Sequence, residues 1–305
     1  MAFGPFLIIF KYKLKTMAET LNLVNPKDKL SCGYEISRFP DGQQSLRIIE
    51  DNYYTLNMLK NQTNSITIKS RLNTFQDLEL IICANQALKE IGVKSVKLYI
   101  PYCIGGRSDR KFGDGGFNYI KTVIAPIINS QNFDEVTIMD PHSDVLEACI
   151  NNFKKESNFR LVLNAMSDIG TADSPDGIVL VSPDAGAYKK IFDVAQKFGI
   201  RKIITATKVR DLETGKILHT EIPTLDQHND LKYVIVDDIC DGGRTFIELA
   251  KVMKDQRPTA KLYLVVTHGI FSAGFGELNN YFERIYTTNS IKEHDNSQVK
   301  QVNIF

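Results

Sequence analysis

Paired cysteines, long apolar runs and an excess charge of either sign are all missing from this sequence. Its five cysteines stand apart with no CxxC pair, so we expect reduced thiols in a cytoplasmic protein and no zinc site. No apolar run approaches the ~20 residues that cross a bilayer, so no membrane association is expected. Lysine and arginine number 37 against 36 acidic residues, a net charge of +1, which gives no general attraction to nucleic acid. Any binding of anions must therefore come from groups placed locally.

The composition is that of a globular chain long enough for two domains. Of its 305 residues, 43% are hydrophobic and 24% are charged, which argues against disorder. At ~150 residues per domain the length predicts two domains, and the polar stretch Ser157–Asp176 marks a boundary. We therefore predict domains over residues 1–163 and 164–305. The apolar start, Met1–Phe10, precedes its lysines, the reverse of a secretory signal, so we interpret it as an extension.

Strand-like and helix-like segments alternate along the chain. Apolar residues recur at helical spacing in segments such as Leu78–Ile91, and short β-branched runs such as Val136–Met139 and Tyr233–Val236 stand between such segments. This alternation predicts α/β layers with mostly parallel sheets. Polar residues follow the ends of these strands, and ligands bind at that edge of an open α/β sheet.

The segment Val234–Thr245 carries the strongest chemical signal. A hydrophobic strand leads into two carboxylates, Asp237 and Asp238, followed by Asp241 and a glycine turn, Gly242-Gly243, before a predicted helix. Free N–H groups at the start of that helix suit a phosphate monoester, and the carboxylates suit sugar hydroxyls or Mg²⁺. A simple βα turn with acidic capping residues is the alternative interpretation of this segment.

The segment resembles the phosphoribosyl-pyrophosphate (PRPP) binding motif of type I phosphoribosyltransferases and of ribose-phosphate pyrophosphokinases, the PRPP synthetases. Further segments favour the second family, and they occur in the same order as in that family. Four departures from its pattern are Gln43 for an acid, Ser108 for Gln, Gly242 for Thr and Arg244 for Gly. The matching segments are Arg38–Gln43, Pro101–Lys111, Met139–Ser143, Val181–Gly186, Asp237–Thr245 and Thr267–Ser272.

The resemblance implies two type I phosphoribosyltransferase-like domains, each a parallel sheet flanked by helices. It implies a ribose-phosphate diphosphokinase, which transfers the β,γ-diphosphoryl group of ATP to C1 of ribose 5-phosphate and yields PRPP and AMP, with Mg²⁺ as cofactor. It also implies a homo-oligomer built from dimers, up to a hexamer, without nucleic acid or membrane partners. A non-catalytic regulatory homologue and a phosphoribosyltransferase that consumes PRPP are the alternatives.

The family pattern also implies roles for individual residues of this chain. Lys208 and Arg210 would lie on a closing flap and stabilise the transition state, with His142 as a third catalytic residue. His142 and Asp184 would be the Mg²⁺ ligands. The ATP-binding residues would be Phe39, Asp41, Gln43, Arg107, Ser108 and Asp109, of which Phe39 and Asp41 come from a neighbouring subunit. Those for ribose 5-phosphate would be Asp237, Asp238, Asp241, Gly242, Gly243 and Thr245.

Overall fold

A computed structural model describes residues 20–28, 31–49, 65–170, 175–210, 217–226 and 231–305. Five strands of the first half form one parallel sheet in the order β1-β4-β5-β6-β7. Their bounds are β1 Thr20–Asn22, β4 Ser65–Lys69, β5 Ser95–Tyr99, β6 Glu135–Met139 and β7 Phe153–Glu156. The helices of this half are α1 Phe75–Glu90, α2 Ala125–Ser130, which continues a π-helical turn Ile120–Ile124, and α3 Val145–Cys149.

The start of α1 shows why a helix forms at the predicted place. Thr74 accepts a hydrogen bond from the backbone N–H of Asp77, and the Asp77 carboxylate accepts one from the backbone N–H of Thr74. This capping box satisfies amides that the first helical turn leaves without partners. Leu78, Ile81 and Leu88 then face the core beneath the sheet.

The second half is a six-stranded parallel sheet in the order β15-β14-β13-β12-β8-β9. Alternate residues of its central strand enter opposite cores: Tyr233 and Ile235 pack on one face, Val234 and Val236 on the other. Helices therefore cover both faces, with α6 on the first and α4 and α5 on the second. The bounds are β8 Ile178–Ser182, β9 Lys202–Thr205, β12 Lys232–Cys240, β13 Lys261–Gly269, β14 Arg284–Thr288, β15 Val299–Val302, α4 Phe159–Ile169, α5 Tyr188–Phe198 and α6 Arg244–Gln256.

The predicted fold class, α/β with two parallel sheets flanked by helices, is confirmed by this architecture. The predicted domain boundary between residues 163 and 164 falls inside α4, whose buried face packs on the second sheet. Among the described residues, none of the helices combines the length and the apolar composition needed to cross a membrane.

Two antiparallel ribbons project from the sheets. Strands β2 Tyr34–Arg38 and β3 Gln44–Ile48 form a hairpin of the first half. Strands β10 Thr207–Arg210 and β11 Ile217–Glu221 form the other, with a shift of register at Val209 and Arg210. We expect the flap that carries Lys208 and Arg210 to continue through Asp211–His219; of that segment, residues 217–219 belong to β11 and residues 211–216 lie outside the described part of the chain.

The end of the chain contacts the first half. The Phe305 ring meets the Tyr99 ring edge-on at 6.2 Å, and the guanidinium of Arg71 lies over the same ring at 5.5 Å. Arg71 also donates to the carbonyl oxygen of Asn289 at 2.9 Å. These contacts and those of the site below join the two sheets.

Candidate active site

A cavity of ≈ 920 Å³ lies where the carboxyl ends of strands from both sheets meet. Strand β6 leads into it through the turn at His142, β8 through the turn at Asp184, and β12 through its own last residues. The ends of β8 and β12 share the cavity because parallel strands of one sheet bring their carboxyl ends to one edge. The turn after β6 comes from the first sheet and meets them through His142 and Asp238. The predicted site residues in its lining are Arg107, His142, Asp184, Asp237, Asp238, Asp241, Gly242, Gly243 and Thr245.

The loop at the end of β12 has the form expected of a phosphate-binding turn. Helix α6 begins at Arg244, directly after Gly243, whose φ of 81° is left-handed. A Cβ on Gly243 would lie 3.2 Å from the Leu278 side chain, so both conformation and space require glycine there. At Gly242 a Cβ would meet only ordinary contact, 3.7 Å from Ser272 Oγ. Arg244 and Thr245, the first two residues of α6, line the cavity, and backbone N–H groups at these positions have no acceptor within the helix.

The two acids at the end of β12 occupy opposite electrostatic environments. Burial and the neighbouring charge of Asp238 raise the pKa of Asp237 to about 7. Burial acts in the same direction on Asp238, but hydrogen bonds from His142 and Lys190 and their charges bring its pKa well below the ordinary value. Asp238 is therefore the ionised member of the pair, and Asp237 takes up a proton easily.

His142 is oriented by Asp238. Its Nδ1 lies 3.0 Å from Asp238 Oδ2, and because an ionised carboxylate only accepts, Nδ1 carries the proton. This hydrogen bond raises the pKa of His142 against the opposing effect of burial. The ring is thereby held as a hydrogen-bond donor at the cavity wall.

Lys190, which the sequence interpretation did not select, lies at the centre of this arrangement. Its Nζ is 2.8 Å from Asp238 Oδ2, 3.1 Å from Asp140 Oδ1 and 3.3 Å from the carbonyl oxygen of Pro141. A signal was available in the sequence, since Lys189 and Lys190 follow the Ser182–Gly186 turn where a helix begins. Cations are unfavourable in a first helical turn.

Arg107 and Asp241 pair across the cavity. Arg107 Nη1 lies 3.0 Å from Asp241 Oδ2, and Ser272 Oγ donates to Asp241 Oδ1 at 2.7 Å. These two hydrogen bonds lower the pKa of Asp241, the bond from Ser272 having the larger effect. A carboxylate in the phosphate-type loop is thus partly neutralised by a residue of the other half.

Five further predicted residues are not part of the cavity lining: Ser108, Asp109, Phe39, Asp41 and Gln43. Ser108 and Asp109 support the loop beneath it through their carbonyl groups, which accept from the Tyr119 backbone N–H and the Asn118 amide. Exposed Phe39, Asp41 and Gln43 form the turn of the β2–β3 hairpin. Lys208 and Arg210 lie on β10, which begins with the cavity residue Thr207.

Asp184 and His142 differ in how well they suit Mg²⁺. This ion prefers oxygen ligands, commonly one or two carboxylates together with substrate phosphates. Asp184, a carboxylate of the cavity wall whose Oδ1 accepts from the Ala187 backbone N–H at 3.1 Å, fits this requirement. The nitrogen of His142 fits it less well. In the described part of the chain, no three His, Cys, Asp or Glu side chains are grouped as a metal site.

Two parallel sheets that share one polar cavity, with a phosphate-type loop on one of them, define the α/β fold class that the sequence motifs imply. No family model matches the chain. Ribose-phosphate pyrophosphokinase of Pyrococcus furiosus is 27% identical over 263 residues, 84% of this chain and 85% of the relative. The protein of the same name from Sulfurisphaera tokodaii is 26% identical over 273 residues, 87% of each chain.

A solved structure has the same fold. Phosphoribosylpyrophosphate synthetase from Mycobacterium smegmatis matches with a TM-score of 0.74, covering 94% of each chain at 16% identity. With these relatives the resemblance seen in the sequence motifs is confirmed: over most of its length the chain is similar to ribose-phosphate pyrophosphokinases.

Proposed function

We propose that this protein is a ribose-phosphate diphosphokinase. The anomeric hydroxyl of ribose 5-phosphate would attack the β-phosphorus of ATP, so that the diphosphoryl group moves to C1 and AMP leaves. One observation carries the proposal: Arg107, His142 and Asp184 line the same cavity as the loop Asp241–Thr245. A cation from the first half, a carboxylate and a phosphate-type loop are thus available to two anionic reactants at once.

Ribose 5-phosphate would bind at the end of β12. Its phosphate monoester would accept hydrogen bonds from the amides at the start of α6 and from Thr245, and Gly243 lets the main chain approach closely. The ribose hydroxyls would donate to Asp238, which is the ionised acid of the pair. The negative charge of Asp241 would be tolerated beside the phosphate because Arg107 and Ser272 both donate hydrogen bonds to this carboxylate.

ATP would bind on the opposite side of the cavity. Arg107 would keep its bond to Asp241 and donate its remaining N–H groups to a phosphate oxygen, and His142 would donate a hydrogen bond from the ring that Asp238 orients. Mg²⁺, held by Asp184 and the substrate phosphates, would supply charge neutralisation. Transfers of this kind depend on positioning and on charge neutralisation.

Residues of two further segments would complete the site. We propose that Lys208 and Arg210 stabilise charge on the transferred group, since β10 starts at the cavity with Thr207. The exposed hairpin turn with Phe39, Asp41 and Gln43 would reach the adenine from a second copy of the chain. This arrangement would require a homo-oligomer.

The test is AMP release from ATP and ribose 5-phosphate, with Mg²⁺ and no nucleobase. We expect AMP and PRPP in equal amounts, with no reaction when ribose 5-phosphate is omitted. A protein that consumes PRPP only when a base is added would be a phosphoribosyltransferase. A protein inactive alone that activates or inhibits an added synthetase would be a regulatory homologue. Either result overturns the proposal.

A further inference from the structure

Lys190 lies at a position where a positive charge is unfavourable for the helix itself. It is in the first turn of α5, which has no acidic residue in that turn and carries Lys189 and Lys190 instead. A cation near a helix N-terminus is unfavourable by ~0.3–1 kcal/mol, so the place of Lys190 needs another explanation. That explanation lies in the groups that its ammonium contacts.

The three N–H donors of the Lys190 ammonium contact acceptors from both halves of the molecule. Asp140 and Pro141 belong to the turn after β6 of the first half, whereas Asp238 belongs to β12 of the second. Both carboxylates are nearly buried, with side-chain exposures of 7% for Asp140 and 8% for Asp238. Buried carboxylates require such a partner, because removing one member of a buried pair leaves an uncompensated charge.

The turn that Lys190 holds is strained and carries His142. Asp140 has a left-handed φ of 41°, which costs a residue with a side chain free energy and persists only where contacts enforce it. Its other carboxylate oxygen accepts from Thr267 Oγ1 at 2.6 Å and from Asn158 Nδ2 at 3.1 Å. Lys190 adds the contact that links this turn to Asp238.

We propose that Lys190 is a positioning residue, which sets His142 and Asp238 at the separation that the diphosphoryl transfer needs. It acts on His142 through the shared partner Asp238 and through the turn Asp140–Pro141. This inference rests on the proposed function and deepens it. Without the ammonium, Asp140 and Asp238 repel each other and the turn moves away from β12. His142 is then displaced from the ATP side, and Asp238 from the sugar.

The test compares Lys190→Met, which keeps the chain length without the charge, with Lys190→Arg, which keeps the charge and the donors. Lys189→Met is the matched control, since Lys189 is the exposed neighbour on the same helical turn. We measure Tm, then kcat, and the KM for each substrate separately. A displacement of about 1 Å in a catalytic group costs ~10²-fold in rate.

For Lys190→Met we expect kcat to fall ~10²-fold and the KM for ribose 5-phosphate to rise ~10-fold, with the KM for ATP changed by less than ~3-fold. Lys190→Arg should keep at least about a tenth of the wild-type kcat, and Lys189→Met all of it. A folded Lys190→Met protein with a lower Tm and wild-type kinetic constants would show a structural role only and overturn the inference. So would failure of Lys190→Arg to recover activity despite a wild-type Tm.

Equilibrium binding of ribose 5-phosphate separates this inference from the proposed function. Wild-type protein that binds the sugar phosphate but releases no AMP contradicts the proposed function alone. The inference then stands if Lys190→Met weakens that binding ~10-fold while Lys190→Arg and Lys189→Met do not, and falls if all bind equally. Wild-type protein that neither binds nor converts ribose 5-phosphate contradicts both.

Discussion

Asp241 and Arg107 are each about half exposed, with side-chain exposures of 48% and 52%, although they pair at 3.0 Å. An exposed pair of this kind contributes at most about 1 kcal/mol to stability. Arg107→Gln should therefore change the free energy of unfolding, measured in urea, by less than ~1 kcal/mol. The loss of the Arg107 charge should instead raise the KM for ATP at least ~10-fold, because a charge-assisted contact to phosphate is worth ~1.5–3 kcal/mol.

Lys154→Gln is the matched control for Arg107→Gln. Lys154 on β7 also forms a surface pair, with Glu135 of the neighbouring strand β6 at 3.1 Å. We expect a similar small change in stability and an unchanged KM for ATP. Equal KM values for ATP in wild-type protein and Arg107→Gln would mean that Arg107 only forms the surface pair with Asp241 and does not bind ATP.

Lys208 and Arg210 are expected to act in the transition state rather than in substrate binding. An arginine that stabilises the transition state of phosphoryl transfer is worth ~10³–10⁵ in rate. We therefore expect Lys208→Ala and Arg210→Ala to lower kcat at least ~10²-fold while the KM for ATP stays nearly constant. Steady-state kinetics with both substrates varied measure this. Near-normal turnover in both variants would remove these residues from the mechanism.

The loop between β12 and α6 allows a matched pair of substitutions on adjacent glycines. Gly243→Ala puts a side chain on a left-handed backbone, 3.2 Å from Leu278, and should cost ~1–3 kcal/mol of unfolding free energy. Gly242→Ala meets only ordinary contact at 3.7 Å and should stay within ~0.5 kcal/mol. Urea unfolding compares the two. Equal stabilities would contradict the strained conformation.

The sequence predicts single elements well because their signals are local. The β-rich run Val136–Met139 is β6, and the acidic strand end at Asp237 is followed by a glycine turn and a helix, as predicted. The strand itself extends to Cys240, through both acids, because pairing with β13 continues to Gly269. The β10–β11 ribbon gave no comparable signal: its register depends on pairing between two short segments.

At the scale of the whole molecule, the sequence predicts which segments meet but not which atoms do. The rules of parallel sheets place the strand ends at Asp184 and Asp237 together, because β8 and β12 are neighbours in one sheet. The approach of Lys190 to Asp140 and Asp238 depends instead on how the two halves are set against each other, which no local pattern encodes. The same is true of Arg107 and Asp241, which are separated by 134 positions.

His268 is a second buried link between the halves. Its Nε2 lies 2.9 Å from the carbonyl oxygen of Met139 in β6, and its Nδ1 lies 2.9 Å from Ser290 Oγ. Because a carbonyl only accepts, Nε2 carries the proton and the Ser290 hydroxyl donates to Nδ1. Both ring nitrogens are thus used by a neutral imidazole, which is buried at 2% exposure.

The neutral state of His268 predicts a dependence of stability on pH. Burial lowers its pKa below the ordinary 6.5, a shift that the Lys190 charge supports and the carboxylates of Asp140 and Asp238 oppose. Below pH 6.5 the unfolded chain therefore binds a proton that the folded chain does not. The His268 contribution is complete above that pH and is lost on acidification, by at most about 1.4 kcal/mol per pH unit.

His268→Asn isolates this contribution, because other titrating groups cancel in the difference between the two proteins. The variant should be less stable than wild type at pH 7.5, since it loses the bond to Met139. The gap should narrow at pH 5.5, by no more than ~1.4 kcal/mol, because wild-type protein then loses a contribution that the variant never had. Urea unfolding at both pH values measures it. A gap that stays constant or widens on acidification would mean that His268 is protonated in the fold, and that the ring does not join the two halves as a neutral donor.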